Sequence, residues 1–299
     1  MLKDLLTEQR NPASENIGRL STFELLQVIN REDRKVAGAV EKELPRIARA
    51  VDEIAERFGK GGRLFYLGAG ASGRLGVLDA AECPPTFGIP AERVQAVIAG
   101  GEAAVFRSME GAEDRRDAGE ADLRSRGLRS GDAVVGVSAS GRTPYVLGGL
   151  SYARKLGALA IGLTSNPGAE LGGEVDVLIA PVTEAEVITG STRMKAGTAH
   201  KLVLNMISTA VMIRMGYALG NLMVNVQLKS QKLVDRGRRI IETITGCSAE
   251  EAARALDAAG NNVRLAVIMS KLGVDRSAAE RRLAEAGDNL WKVLEPAAK

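Results

Sequence analysis

A short segment rich in hydroxyl side chains, residues 138–144 with the letters SASGRTP, is the first candidate for a binding site. It follows a predicted buried strand and precedes a predicted helix, where backbone N–H groups and hydroxyls together surround an anion. Its candidate ligands are Ser138, Ser140, Gly141 and Thr143. The chain has no G-x-x-x-x-G-K-[ST] motif, so the segment favours one phosphate group over a nucleoside triphosphate with magnesium. The alternative is that these residues only cap a helix and form a turn.

A second candidate loop, residues 68–74 with the letters GAGASGR, follows an earlier predicted strand and offers the hydroxyl of Ser72. Its glycines fit the G-x-G-x-x-G pattern of dinucleotide-binding folds. That pattern also expects an acidic residue about 20 positions later, at the end of the next strand. Here the next strand ends in Ala99 followed by two glycines, and Glu102 comes late. A bound dinucleotide is therefore the weaker interpretation of the loop.

A third hydroxyl-rich segment, residues 189–198, leads into a long apolar helix predicted over 199–219. Its candidate ligands are Ser191 and Thr192, which could close a site or contribute to an interface. His200 follows this segment, and a histidine there more often caps or packs than catalyses.

The scarcity of histidine and cysteine restricts the chemistry that this chain can perform. One His and two Cys among 299 residues argue against a zinc site, which needs three or four such ligands. Carboxylates are therefore the expected acid and base groups, and no metal or cofactor is expected. Glu82 precedes two prolines that we expect to end a helix, where a carboxylate favours its protonated form, as a general acid requires. Spacing alone predicts surface charge for Glu113, and equally for Asp79 and Glu110.

The elements that must position these residues alternate between strands and helices. Short apolar runs, bounded by Gly, Pro or Asp, occupy 63–69, 94–99, 132–139, 159–164 and 176–182. Near-continuous apolar strands with helices between them indicate a parallel sheet that is covered on both faces. The sequence predicts an α/β fold with a doubly wound, five-stranded parallel sheet.

Helical periodicity dominates both ends of the chain. Apolar residues recur at three- and four-residue steps from 22 to 58, and we expect helices there. Beyond 230 we expect a basic connecting helix, then a helix capped by Ser248 and Glu251, one ending at Gly273, and one over 277–296. The predicted segments are an N-terminal helical segment (1–54), the sheet domain (55–220), a connecting helix (221–246) and a C-terminal three-helix domain (247–299). The last is similar to ubiquitin-associated-type bundles, although we expect packing or oligomer contacts from it.

Charge and hydropathy exclude several classes of partner. The net charge is +3, but acidic and basic residues alternate along the chain, and aromatic residues make up only 3%. Both features argue against nucleic-acid binding. The apolar stretch 202–219 is too short and too polar to cross a bilayer, and the charged start of the chain is unlike a signal peptide. We expect a cytoplasmic protein with reduced cysteines and no membrane partner.

Four longer motifs together resemble the N-acetylmuramic acid 6-phosphate etherases of the sugar isomerase (SIS) superfamily. The matching text is LGAGASGRLGVLDAAECPPTFG, IAGGEAAVFRSMEGAEDRRDAG, SASGRTPYVLGGL and TGSTRMKAGTAHKLVLNMIST. The resemblance extends from the NPAS near the start into the C-terminal helices. The chain departs from the family pattern at Ala71, where Thr is common, and at His200, where Gln or Thr is common.

The resemblance implies cleavage of the lactyl ether by elimination and then water addition, releasing D-lactate and N-acetylglucosamine 6-phosphate. It assigns the acid to Glu82 and the base at carbon 2 to Glu113. It assigns phosphate binding to Ser138, Ser140 and Thr143, and further substrate contacts to Ser72, Ser191 and Thr192. It also implies a homodimer with sites near the subunit interface. Two alternatives remain open: an isomerase of the same fold that uses His200, and a sugar-phosphate-binding regulator without catalysis.

Overall fold

A parallel β-sheet forms the centre of the computed structural model, which describes residues 5–228 and 230–294. The strands of this sheet are β1 (Leu64–Gly68), β2 (Val94–Ile98), β3 (Ala133–Val137), β4 (Leu159–Leu163) and β5 (Val177–Ile179). Their order is β2-β1-β3-β4-β5, with every neighbouring pair parallel. The predicted five-stranded, doubly wound α/β fold is confirmed. A short antiparallel hairpin, β6 (Ala218–Leu219) and β7 (Leu222–Met223), lies outside this sheet and was not predicted.

The strand order reverses direction between β1 and β3. In an open parallel sheet, loops that leave two neighbouring strands towards opposite faces open a crevice at their carboxyl ends. The two loops singled out in the sequence leave these two strands, because residues 69–74 follow β1 and residues 138–144 follow β3. The topology therefore places both candidate loops at the position where α/β proteins bind ligands.

The sheet core explains why the strands read as uninterrupted apolar runs. Every residue of β1, β3 and β4 is buried. The helices α6 (Arg116–Ser125) and α7 (Pro144–Leu156) pack against each other, and α7 packs against these three strands. One core cluster joins Phe65 and Val134 to Leu123 and Leu150, so the loops above the sheet start from a rigid base.

Three helices occupy the periodic N-terminal stretch, as expected. They are α1 (Thr22–Asp33), α2 (Lys35–Glu41) and α3 (Leu44–Gly59). A capping box of Ser21 and Glu24 begins α1. Proline lies in the first turn of α3, where its missing N–H costs nothing, and inside a longer helix it would remove a hydrogen bond.

The prolines after Glu82 do not end their helix, contrary to the prediction. Helix α4 spans Gly70–Phe87 with Pro84 and Pro85 inside it. It stops at Gly88, which has a φ of +65° and donates its N–H to the carbonyl of Pro84 at 2.9 Å. Glu82 therefore lies before the last turn, and the argument that the helix end favours its protonated form no longer applies, because that effect fades within one turn.

The remaining elements of the sheet region include one short helix, α5 (Ala103–Phe106), and one long helix, α8 (Lys195–Arg214). Helix α8 begins earlier and ends earlier than the predicted 199–219. Short 3₁₀ turns occupy Leu6–Glu8, Pro12–Ser14, Ile17–Arg19, Ala91–Arg93, Ala112–Asp114 and Glu170–Glu174.

The C-terminal region is helical, as predicted. Its helices are α9 (Gln231–Thr245), α10 (Ala249–Ala258), α11 (Val263–Leu272), α12 (Arg276–Glu285) and α13 (Leu290–Leu294). The capping box of Ser248 and Glu251 and the end of α11 at Gly273 are confirmed. The helix expected over 277–296 instead breaks after α12, where Gly287 and Asp288 have φ of +65° and +61°. Residues 295 and 296 lie outside the described residues.

The chain divides into two compact units. The first contains the described residues up to Ala80 together with Glu92–Ser208, and includes the whole five-stranded sheet. The second contains Ala81–Ala91 and the described residues from Thr209 onward, with its own core around Ile241, Leu256 and Val267. The division into four segments stays a prediction. No helix among the described residues is long and apolar enough to span a membrane.

Candidate active site

The loop after β3 brings three hydroxyl groups together. The Ser138 Oγ lies 2.8 Å from the Thr143 Oγ1 and 3.4 Å from the Ser140 Oγ. The backbone N–H of Gly141 donates to the Ser138 Oγ at 3.0 Å. Ser138 is buried, whereas Ser140 and Thr143 are half-buried and remain accessible. This arrangement is a compact cradle whose donors fit one phosphate group.

Thr143 does not act as an ordinary helix cap. It occupies the N-cap position of α7, yet its side chain makes no capping hydrogen bond, and Pro144 follows it. Gly141 has a φ of +67°, and a Cβ there would come within 2.4 Å of the Ala169 Cβ. Only glycine fits this left-handed position, and its contact with Ala169 fixes the backbone of the cradle.

Polar residues after β4 support the cradle, and the sequence analysis missed them. Asn166, which is 4% exposed, donates from Nδ2 to the carbonyl of Ala139 at 2.7 Å. The Thr164 hydroxyl donates to the same carbonyl at 3.2 Å. Asn166 also accepts the N–H of Leu6 on Oδ1 at 2.9 Å, so the N-terminal 3₁₀ turn is tied to the cradle. The available signal was the polar run TSN at the carboxyl end of a buried strand.

Glu113 lines a cavity of about 240 Å³ at the carboxyl ends of β1 and β2. It lies in the 3₁₀ turn Ala112–Asp114, which Gly111 begins with a φ of +71° and which packs against α7. The other polar side chains lining the cavity are those of Arg74, Ser108 and Glu110. Glu113 is exposed, as spacing predicted, but it faces a cavity beside the crevice, which surface charge alone does not explain.

Two glycines of the first loop, Gly68 and Gly73, allow α4 to pack closely against the sheet. A Cβ on Gly73 would come within 2.5 Å of the Ile98 side chain and 2.9 Å of the Gly68 carbonyl. Glu102 occupies the N-cap position of α5 and does not end β2, so the acidic residue of a dinucleotide site is missing. The donor set therefore does not fit a dinucleotide. Ser72 lies in the first turn of α4, half-buried.

Ser191 and Thr192 lie in the segment just before α8, both half-buried. Within the part of the chain that the structure describes, neither hydroxyl has a hydrogen-bond partner, so both can receive a ligand. The segment is fastened by the N–H of Gly190, which donates to the carbonyl of Thr7 at 3.2 Å.

A buried ionic network sets the start of α8, and sequence reasoning missed it. The Glu186 carboxylate accepts the N–H groups of Lys195 and Ala196 at 3.0 and 2.9 Å, which begins the helix at Lys195. The Lys195 Nζ, on a fully buried side chain, lies 2.7 Å from the Glu32 carboxylate. Asn11 donates to the same carboxylate at 2.8 Å.

The pKa of Glu32 reflects this network. Burial alone would raise it, but hydrogen bonds from Lys195, Lys35 and Asn11 outweigh burial and lower the pKa to about 2. The carboxylate is therefore charged at neutral pH and matches the buried Lys195 ammonium.

His200 is a packing residue. It is 1% exposed, its Nε2 lies 3.3 Å from the Ser165 Oγ, and burial lowers its pKa to about 4. The imidazole is neutral and shielded from solvent at physiological pH, in keeping with the packing role expected from sequence.

Glu82 is an exposed residue of α4 and belongs to the second unit, so its pairing with Glu113 stays a prediction. Asp79, one turn earlier, is 5% exposed, and the expectation of surface charge there was wrong. It accepts hydrogen bonds from the Tyr66 hydroxyl at 2.7 Å and the Asn205 Nδ2 at 2.5 Å. Burial raises its pKa against the effect of these bonds. Asp79 thus fixes α4 to β1 and α8 one turn before Glu82.

Comparison with known folds agrees with this architecture. The protein-family model described as the glucokinase regulatory protein N-terminal SIS domain matches residues 46–154 of this chain. A solved structure of a candidate phosphosugar isomerase involved in capsule formation, from Bacteroides fragilis, matches with a TM-score of 0.51 and 22% identity. The match covers 67% of this chain and 95% of that one, and it shows the fold.

Curated relatives match nearly the whole chain. The N-acetylmuramic acid 6-phosphate etherase of Clostridium beijerinckii is 53% identical, over 92% of this chain and 91% of its own. That of Symbiobacterium thermophilum is 55% identical, over 91% of each chain. Identity at this level over nine-tenths of both chains, with the SIS fold and the cradle in place, shows that this chain belongs to the N-acetylmuramic acid 6-phosphate etherase family.

Proposed function

We propose that this chain is a carbon–oxygen lyase that cleaves the D-lactyl ether of N-acetylmuramic acid 6-phosphate. The products are D-lactate and N-acetylglucosamine 6-phosphate, which belong to cell-wall amino-sugar recycling. The observation that carries the proposal is the position of Glu113, in a cavity at the carboxyl ends of β1 and β2 beside the β1/β3 crevice of an etherase-family fold.

The first step needs a base at carbon 2 of the open-chain sugar. The adjacent aldehyde makes that proton acidic, and Glu113 removes it with a carboxylate that is exposed to the cavity. Fixing the turn with Gly111 and packing it against α7 holds the carboxylate without burying it. The electron pair released at carbon 2 forms the double bond to carbon 3 as the carbon–oxygen bond to lactate breaks.

The second step needs an acid for the leaving lactate and a base for water. Glu82 donates a proton to the ether oxygen as lactate leaves, and then takes a proton from the water that adds to carbon 3. Water addition at carbon 3 gives an enolate, which Glu113 protonates at carbon 2 as it returns to its carboxylate form. Support for Glu82 comes from the family motif ECPPTFG, of which it is the first residue.

The hydroxyl cradle binds the 6-phosphate. The accessible Ser140 and Thr143 donate to phosphate oxygens, while the buried Ser138 and the backbone of Gly141 hold the cradle in shape. The unpaired hydroxyls of Ser191 and Thr192, together with Ser72 on α4, serve as further substrate contacts; the absence of a partner holds within the described residues.

The test is to incubate the purified protein with N-acetylmuramic acid 6-phosphate in H₂¹⁸O and to measure D-lactate. We expect lactate without label and a hydroxyl at carbon 3 that carries ¹⁸O. The aldehyde oxygen also exchanges with water, so the label is assigned to carbon 3 by its isotope shift in ¹³C NMR. Absence of lactate contradicts the proposed function, and ¹⁸O in the lactate contradicts elimination followed by water addition.

The variant Glu113→Gln should stop both lactate release and exchange of the carbon 2 proton with D₂O. Glu110→Gln is the matched control, because Glu110 lines the same cavity but has no assigned role. Persistent exchange in Glu113→Gln would remove it as the base. The isomerase alternative is disfavoured because it relies on His200, which is buried and whose pKa burial lowers to about 4.

We also propose that the protein acts as a homodimer. Met109 lines the cavity of Glu113 and is 46% exposed, and Phe106, three residues earlier in the chain, is 88% exposed. A partner subunit would cover both side chains and complete the site. Light scattering after size exclusion should give a dimer mass, and Phe106→Asp should lower it to a monomer with reduced activity. A wild-type monomer with full activity would contradict this.

A cytoplasmic location completes the proposal. A phosphorylated sugar carries charge that does not cross a bilayer unaided, so its enzyme is expected where it is made. Neither Cys83 nor Cys247 forms a disulfide, as in a reducing compartment.

A further inference from the structure

The cavity that contains Glu113 holds one cationic side chain among the described residues that line it, that of Arg74. The charged side chains that share the cavity with it are two carboxylates, Glu110 and Glu113. A further anion would be repelled there by these two carboxylates unless a cation faced it. The role of Arg74 therefore depends on whether the substrate places an anionic group in this cavity.

The guanidinium of Arg74 is held in a fixed orientation by the backbone of the loop above it. Its Nε donates to the carbonyl of Val105 at 2.9 Å, and its Nη2 donates to the carbonyl of Arg107 at 3.0 Å. A guanidinium has five N–H donors, so these two bonds leave three for a ligand. Across the described residues Arg74 forms no ion pair with a carboxylate within 4.0 Å, and its charge is available.

The proposed substrate brings a carboxylate to this place. Its lactyl group is attached at carbon 3, one bond from the carbon 2 whose proton Glu113 removes. A substrate positioned for that step therefore carries its lactyl carboxylate into the cavity shared by Glu113 and Arg74. Two parallel N–H donors of a guanidinium match the two oxygens of a carboxylate.

We propose that Arg74 binds the lactyl carboxylate of the substrate and determines specificity for an acidic ether. This inference rests on the proposed function. The bond is made before the ether breaks and is kept by the departing lactate, so Arg74 contributes to substrate binding at this site. It also neutralises the repulsion that Glu110 and Glu113 exert on an anionic substituent.

The test compares two substrates with three enzymes. The substrates are N-acetylmuramic acid 6-phosphate and its lactyl carboxamide, which has the same shape without the charge. The enzymes are the wild type, Arg74→Met, and the control Arg107→Met, whose exposed side chain is not among the residues lining the cavity. Lactate or lactamide release gives kcat/KM for each pair.

For the wild type we expect kcat/KM to fall about 50-fold from acid to amide, the size of one charged hydrogen-bonded pair. Arg74→Met should lose about the same factor with the acid but lose little more with the amide. Arg107→Met should match the wild type with both substrates. Exchange of the carbon 2 proton of N-acetylglucosamine 6-phosphate, which has no lactyl group, should continue in Arg74→Met.

Equal losses with acid and amide in Arg74→Met, together with loss of the exchange, would overturn the inference, because Arg74 would then only hold the loop through Val105 and Arg107. No lactate from the wild type is a different result, and it would overturn the proposed function itself.

Discussion

Replacing Glu32 with Gln should destabilise the protein more than any other single change in the buried network. Gln keeps the size and one acceptor of Glu32 but removes its charge, and Lys195 stays 2.7 Å away with a fully buried side chain. Its ammonium then has no counter-charge. Breaking a buried ion pair in this way costs about 3–5 kcal/mol of unfolding free energy.

The reverse change, Lys195→Met, should cost less. Glu32 then keeps the Lys35 ammonium at 2.7 Å and the Asn11 amide at 2.8 Å, and Met fills most of the space. We expect the free energy of unfolding to fall by about 1–2 kcal/mol, because the loss of one charged hydrogen bond is partly offset by the burial of the apolar Met side chain. The double variant should be more stable than Glu32→Gln alone, because it contains no unpaired buried charge.

Urea unfolding followed by far-UV circular dichroism at pH 7 measures the free energy of unfolding of all three variants. Hydrogen exchange over residues 186–198 should rise most in Glu32→Gln, since Lys195 begins α8 there. A double variant whose loss equals the sum of the single losses would refute the coupling. So would a Glu32→Gln loss smaller than that of Lys195→Met.

The same network makes the stability of the protein depend on pH in the acid range. The pKa of Glu32 falls from 4.5 to about 2 on folding, so its contribution is complete above pH 4.5 and is lost as the pH falls towards 2. A shift of this size corresponds to about 3 kcal/mol. The variant Glu32→Gln should lack this loss, and an unchanged acid slope would contradict the assignment.

Three further predictions concern the site and its support. Thr143→Val removes a hydroxyl of the cradle and should raise KM about 10-fold in the lactate assay, with kcat nearly unchanged. The control Thr143→Ser keeps the hydroxyl and should stay near the wild-type KM. A loss of kcat without a change in KM would contradict phosphate binding by Thr143. Gly141→Ala adds a Cβ at a φ of +67° and against Ala169, so thermal unfolding should show a loss of about 2 kcal/mol or more, while Gly168→Ala, which has open space, should change little. The pKa of His200 falls from 6.5 to about 4 on folding, so stability should drop by about 2 kcal/mol from pH 7 to 5 as the unfolded state takes up the proton. His200→Gln should flatten that slope, and an equal slope in both proteins would show that other groups cause it.

The strand pattern is the part of this fold that the sequence determined by itself. Apolar runs such as 132–139 and 159–164 are buried on both faces, and this local property fixes where β3 and β4 lie. Capping by Ser248 with Glu251 is equally local, since both residues lie within one turn. Hydroxyls placed directly after β3 were sufficient to predict the cradle, because the carboxyl end of a strand is also a local feature.

Helix boundaries were less predictable. The periodic stretch from 22 to 58 contains two breaks, and α4 passes through two prolines, because packing and distant caps compensate for local preferences. The start of α8 depends on Glu186, nine residues before Lys195, and no pattern within the helix reveals that cap.

The environment of the charged side chains is the feature that only the tertiary structure decided. Glu32 and Lys195 are 163 residues apart, and Asp79 meets Asn205 across 126 residues, so nothing near either acid in the chain distinguishes it from solvated charge. Glu113 looks like surface charge by spacing and is exposed, yet the fold puts it in a cavity with Arg74. A carboxylate's environment depends on which distant groups surround it, whereas a strand's burial is recorded in its own residues. The sequence therefore determined the sheet and the grouping of the three hydroxyls, and only the folded chain decided which charges lie in buried networks and which line a cavity.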